Sequence, residues 1–215
     1  MTAEVKAPKP IDAVVAEGES TAFIPYFDLG SGYENVPIYL RANYHYYAAR
    51  MGFQPNCNKL YAHVPWMADH MINLNNAIMR DNRNALSEHF KYKLAMSVAR
   101  THECEYCTSH HSGTLKRRWG YEDDDLQTLL HADEPSDAAE AVAIEFANMA
   151  SLDPNGVDDD LRARLAQHFT PQQVMEIVLC VGFWGMYAAM HAAMDLPIED
   201  PMKGNEQWIH TKPKD

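Results

Sequence analysis

Apolar residues recur along most of the chain three and four positions apart, the period of helices with one face turned inward. Over residues 37–51 the stripe reads Tyr39, Ala42, Tyr46 and Ala49, and Gly52 supplies a stop. Tyr44, Tyr46 and Tyr47 crowd this stretch, where helical spacing favours packing over a binding platform. A connector containing Cys57 follows at residues 56–65, and then Met67, Met71, Leu74 and Ile78 mark the next helix. Phe90, Leu94 and Val98 mark another over about residues 86–99, which leads through a short break into the stretch at residues 101–114. Two acidic helices are expected at residues 123–131 and about 137–150, the second with Ala138, Val142, Phe146 and Met149 as its stripe. Residues 153–156, Asp-Pro-Asn-Gly, form a turn, and residues 159–168 a short amphipathic helix. Thr170-Pro-Gln-Gln173 is a nearly complete helix start, with a Thr cap, Pro at the first position and Gln three on. The helix it opens runs to about Met194, is apolar nearly all round, and is expected to be the central buried element. No strand and no internal repeat emerges; the predicted fold class is all-α.

Residues 1–35 show no sustained period and read as an extended arm, ahead of a helical domain over residues 36–200 and a polar tail over residues 201–215. The arm and the Met- and Tyr-rich helices need a surface to cover, so a homo-oligomer is expected.

The composition is that of an ordinary globular chain, 47% apolar and 22% charged over 215 residues. A net charge of −12 argues against nucleic acid and anionic membranes as partners. The excess is local: no Lys or Arg lies between Gly120 and Leu161, and the rest is close to neutral. Solvated helix faces and N-terminal turns account for that block. The N-terminus carries no signal-peptide pattern, and the longest apolar run, residues 177–190, is short of the ~20 residues a spanning helix needs. A reducing cytoplasm is therefore the expected setting, and four cysteines are too few for a disulfide scaffold.

The chemistry concentrates in residues 101–114, Thr-His-Glu-Cys-Glu-Tyr-Cys-Thr-Ser-His-His-Ser-Gly-Thr. At about 100° per residue, Cys104, Cys107 and His111 fall within roughly 60° of one helix face. Unpaired amides and the positive dipole end near Cys104 favour a thiolate. The pattern is that of a redox-active cysteine pair with a proton carrier beside it. A structural zinc site would need a fourth ligand, and none stands at motif spacing. Two merely buried thiols are the remaining alternative.

Residues 104–111, Cys-Glu-Tyr-Cys-Thr-Ser-His-His, resemble the Cys-x-x-Cys-x-x-x-His motif of the carboxymuconolactone decarboxylase and alkylhydroperoxidase D superfamily. Residues 95–100 before the motif, Trp119-Gly-Tyr121 after it, and residues 169–197 resemble the family's flanks, so the likeness covers roughly residues 60–200. It implies an alkylhydroperoxidase D-like helical bundle, usually oligomeric, and a peroxidase reaction on a small hydroperoxide without cofactor or metal. Cys107 would be the attacking thiol, Cys104 would resolve the sulfenic acid into a Cys104–Cys107 disulfide, and His111 would relay protons. A thiol or disulfide electron donor would close the cycle. The dipole alone would make Cys104 the thiolate, so spacing leaves open which cysteine attacks.

The chain departs from the family at one position. Where its redox members place a relay glutamate, twelve residues before the first cysteine, this chain has Tyr92; Glu88, one turn earlier, is the candidate substitute. His110 points about 100° away from His111 and is expected at the surface. The helix dipole is sufficient reason for Glu176, Cys180 reads as an inert core thiol, and His191 as a core or interface histidine. Two other classes stay open: a cofactor-free decarboxylase or lactone-processing enzyme, and a non-catalytic redox-sensing oligomer.

Overall fold

Residues 23–130 and 137–205 are described by the computed structural model of the protein, and among them the chain is helical with no β-strand. The all-α expectation is met. The chain divides into two units, residues 1–72 and 73–215.

The first unit holds α1 (Ile38–Met51), α2 (Asn56–Tyr61) and the start of α3 (Pro65–Arg80). Buried Tyr44 donates its hydroxyl to the Asn58 carbonyl at 2.7 Å, and the Phe27 N–H donates to the Lys59 carbonyl at 3.2 Å. Phe27, Leu29 and Val36 are buried, so the described part of the expected arm is folded onto its own unit. Residues 1–22 of that arm lie outside the described residues. The predicted stripe on α1 is corrected: Tyr39 and Tyr46 are exposed, and Leu40 and Tyr44 face inward. On α3, Met67 and Leu74 are likewise exposed, while Ile78 of the predicted stripe is buried together with Ala68, Ile72 and Met79. In both helices an aromatic- or Met-rich row sits one position away from the row that is buried, and periodicity alone cannot choose between adjacent rows.

In the second unit α4 (Glu88–Thr101) is the hub, with contacts to α5 (Glu105–Trp119), α7 (Ala138–Leu152) and α9 (Pro171–Ala193). Leu94, Ala95, Met96, Val98 and Ala99 are sealed from solvent. The acidic α6 (Asp123–Leu130) puts three aspartates in its first turn, and α8 (Asp159–His168) is capped by Asp158. The α9 start is as expected: Thr170 and Gln173 form both halves of a capping box.

The expectation that α9 is the central buried helix is corrected. Ile177, Cys180, Val181, Phe183, Tyr187 and His191 face inward, while Met175, Val178, Leu179 and Met186 are exposed. Apolar composition all round does not by itself cover a helix all round. By length and composition α9 is the one described helix that passes for a membrane span, and its inner face is packed within the bundle.

A buried ion pair locks α9 to α4. Lys91, 0% exposed, reaches Glu176 at 2.8 Å and also donates to the Ile78 carbonyl at 2.8 Å. The same carboxylate accepts the N–H groups of Ala85 and Leu86 at 2.7 and 3.0 Å. A buried ammonium is tolerated only when paired. Burial alone would push the Glu176 carboxyl up, but Lys91, the two backbone N–H groups and Gln172 hold it down at about 2. Glu176 is thus a clamp, a role beyond the dipole partner expected from sequence.

Two outcomes follow for stability. Glu176→Gln leaves the Lys91 ammonium without its counter-charge and should destabilise the fold by about 3–5 kcal/mol in urea titrations. Because the folded carboxyl sits below its ordinary 4.5, its contribution is full above that pH and drains away as pH falls toward 2. Wild-type stability should therefore fall more steeply across that window than Glu176→Gln stability.

Candidate active site

The turn joining α4 to α5 is built by a left-handed residue. Glu103 has φ 52°, and the Cys104 N–H returns to the Ala99 carbonyl at 3.0 Å, the Schellman way of closing a helix. The chain then turns directly into α5 with Cys104 as N-cap. Its sulfur accepts the Cys107 N–H at 3.2 Å, where a Ser or Asp oxygen would ordinarily stand. Both sulfurs thus lie in the first turn, at the positive end of the helix dipole. They are joined as a disulfide with a Cα–Cα distance of 5.3 Å, and Cys104 and Cys107 are only 1% and 3% exposed.

The imidazole touching this pair comes from another helix. His191 Nδ1, near the end of α9, lies 3.2 Å from Cys107 Sγ. Its ring meets Tyr106 and Tyr187 edge-on, at 5.0 and 5.4 Å between centroids. His111 is on α5 as expected and fully enclosed, edge-on to Trp184 at 4.3 Å and to Tyr92 at 5.8 Å. Its Nε2 finds no hydrogen-bond partner among the described residues. Burial, then the charge of His110, push both imidazoles down to about 3; His191 adds to the effect on His111, and Glu199 opposes it on His191. Both rings are neutral near pH 7, and a neutral imidazole against a thiol is a proton acceptor.

Glu88 and Tyr92 belong to a different cluster. The two Glu88 oxygens meet Arg80 and Arg118, each at 2.8 Å, and Arg80 also donates to the Tyr92 hydroxyl at 3.2 Å. This chain of polar groups ends at the Tyr92 ring on His111. His110 is corrected from the surface to a mostly buried position, its Nε2 2.6 Å from a Glu199 carboxylate oxygen. Cys180 is the enclosed thiol expected, its pKa pushed up to about 12 by burial.

His191 and Glu199 were the residues that sequence reasoning did not bring to the site. The faint signal for His191 was an imidazole in the last turn of an otherwise apolar helix. Glu199 gave none, since it follows the helix stop. Donor atoms of Cys104, Cys107 and His191 lie within 4.8 Å of one another, a soft set of the kind zinc prefers, but no fourth His, Cys, Asp or Glu joins them among the described residues.

No protein-family model matches the chain. It is 32% identical over 123 residues to the uncharacterized protein YnjA of Escherichia coli K12, a match covering 54% of this chain and 65% of that protein. Among solved structures, the alkylhydroperoxidase AhpD core of an uncharacterized peroxidase-related protein from Ralstonia eutropha JMP134 superposes with a TM-score of 0.74 at 18% identity, over 92% of this chain and 100% of that one. The debrominase Bmp8 superposes with a TM-score of 0.71 at 23% identity, over 80% and 91%. A cysteine-to-alanine variant of Bmp8 has been seen in complex with 2,3,4-tribromopyrrole. The fold of this chain is that of the alkylhydroperoxidase D core.

Proposed function

We propose that the protein is a thiol-dependent oxidoreductase that reduces small hydroperoxides. The observation that carries this reading is the contact of His191 with Cys107 beside a Cys104 already within bonding reach. In the reduced protein His191 takes the Cys107 proton, and the thiolate attacks the peroxide O–O bond. The leaving alkoxide takes that proton from His191 and departs as an alcohol, with Cys107 left as a sulfenic acid. Cys104 then displaces hydroxide, which leaves as water, and the disulfide forms. A dithiol donor restores both thiols and is itself oxidised, which suits a reducing compartment such as the cytoplasm. His191 thereby takes the direct proton-transfer role that the resemblance would give to His111. His111 is instead enclosed by Tyr92 and Trp184.

A hydroperoxide pulse on reduced protein should remove two thiols per chain with stoichiometric peroxide loss. Cys107→Ser should abolish consumption, and Cys104→Ser should stall after one turnover. Unchanged turnover in both variants would sink the reading; peroxide-inert thiols would favour the decarboxylase or lactone class. The debrominase likeness adds one arm to the assay, bromide release from a brominated pyrrole. His191→Gln should slow peroxide consumption about 10²-fold, the usual worth of a positioned base. His111→Gln should cost less, and the reverse order would return the relay to His111.

The same reading carries a homo-oligomer. Met175, Val178, Leu179 and Met186 make a continuous exposed apolar row on α9, which a second copy would cover. Light scattering should give a mass well above 24.4 kDa, and Leu179→Glu should lower it.

A further inference from the structure

The segment after α9, residues 195–205, lies along α5. Met202 is fully buried, and its sulfur sits 2.7 Å from where a Cβ on Gly113 would stand, so a larger side chain there would have to displace it. Ser109 donates to the Met202 carbonyl at 2.5 Å, and Ser112 to that of Asn205 at 3.3 Å. This strap delivers a carboxylate. Glu199, its side chain 8% exposed, accepts the Tyr106 hydroxyl at 2.9 Å on one oxygen and meets His110 Nε2 at 2.6 Å with the other. Tyr106 lies tilted against His110 at 4.3 Å and meets His191 edge-on at 5.0 Å. A continuous series therefore runs from Glu199 through Tyr106 and His191 to Cys107 Sγ.

We propose that Glu199 is a positioning residue for the thiol reaction, fixing Tyr106 and His110 so that the His191 ring presents Nδ1 to Cys107. The inference rests on the thiol chemistry proposed above. Among the described contacts, Glu199 meets Tyr106 and His110 and not the sulfur. When the Cys107 S–H bond breaks and the N–H bond on His191 forms, the buried negative charge favours the imidazolium, and the imidazolium in turn favours the thiolate it touches. Tyr106, held by its hydroxyl, leaves the imidazole little room to turn. Among the described residues, the titratable groups facing His191 are Cys107, Tyr106, His110 and His111 on α5, Tyr187 on α9 and Glu199 on the strap.

The test is the pH profile of Cys107 alkylation by iodoacetamide, read by mass spectrometry on full-length reduced protein carrying Cys104→Ser. In Glu199→Gln the alkylation midpoint should move to higher pH, and the rate at pH 7 should fall roughly 10–100-fold. Glu199→Asp should recover part of it. Tyr106→Phe should show the same direction, and the double variant should cost little more than either single one. An unmoved midpoint in Glu199→Gln, with melting unchanged, overturns the proposal. If Glu199→Gln melts early, Tyr106→Phe decides: an unmoved midpoint there overturns it too. Alkylation reports on Cys107 whether or not peroxide is a substrate. A wild type that ignores peroxide but shows the Glu199 shift therefore defeats the proposed function alone.

Discussion

A buried lysine that must have a partner sets the register on which the site depends. Lys91 is sealed inside α4, and its counter-charge comes from Glu176 near the start of α9. The carboxylate is held by Ala85 and Leu86 at the entrance to α4 as well, so the two helices cannot slide without leaving a charge or two N–H groups unpaired. At about 1.5 Å per residue, His191 lies roughly 22 Å farther along α9. Running from that clamp, α4 ends at the turn that launches α5 and the two cysteines, while α9 arrives with His191 opposite Cys107. The contact between imidazole and sulfur is thus a consequence of an ion pair at the far end of both helices.

Electrostatics at the sulfurs divide between two kinds of field. The α5 dipole acts on both cysteines alike, because Cys104 is the cap and Cys107 lies in the first turn. The side-chain charges do not. Glu88 is engaged by Arg80 and Arg118, a cluster that meets the site only through the Tyr92 ring. The carboxylate on the sulfur side is Glu199, whose influence on His191 is opposed by His110 and outweighed by burial. A neutral imidazole at neutral pH results, next to the sulfur that needs a proton removed.

What was legible in the sequence was local. The Cys104–Cys107 helix start, the Thr170 capping box and the Gly120 cap depend on residues within one turn of each other, and each stands where spacing put it. The all-α class followed from the same short-range periodicity. Choices between neighbouring helix faces were not legible: Tyr39 and Tyr46 mimic a core row while Leu40 and Tyr44 form it. Contacts across long separations were invisible for the same reason. Cys107 and His191 are 84 residues apart, and Tyr106 and Glu199 are 93 apart. Nothing in the composition of either neighbourhood distinguishes a histidine that rests in a core from one that rests on a sulfur. His191 does both.

The asymmetry between the sulfurs also bears on how the proposed cycle would close. Reduction of a disulfide expels one sulfur as a thiolate, and the sulfur with the more stabilised thiolate leaves faster. Among the described contacts the imidazole is at Cys107, so the charge expelled there has both the dipole and a ring that can bring it a proton. A donor thiol attacking Cys104 would release Cys107, the same sulfur the cycle requires as the nucleophile. Cys104 would then carry the mixed disulfide. One acid–base partner on one sulfur serves both halves of the cycle, and the second cysteine needs no imidazole of its own.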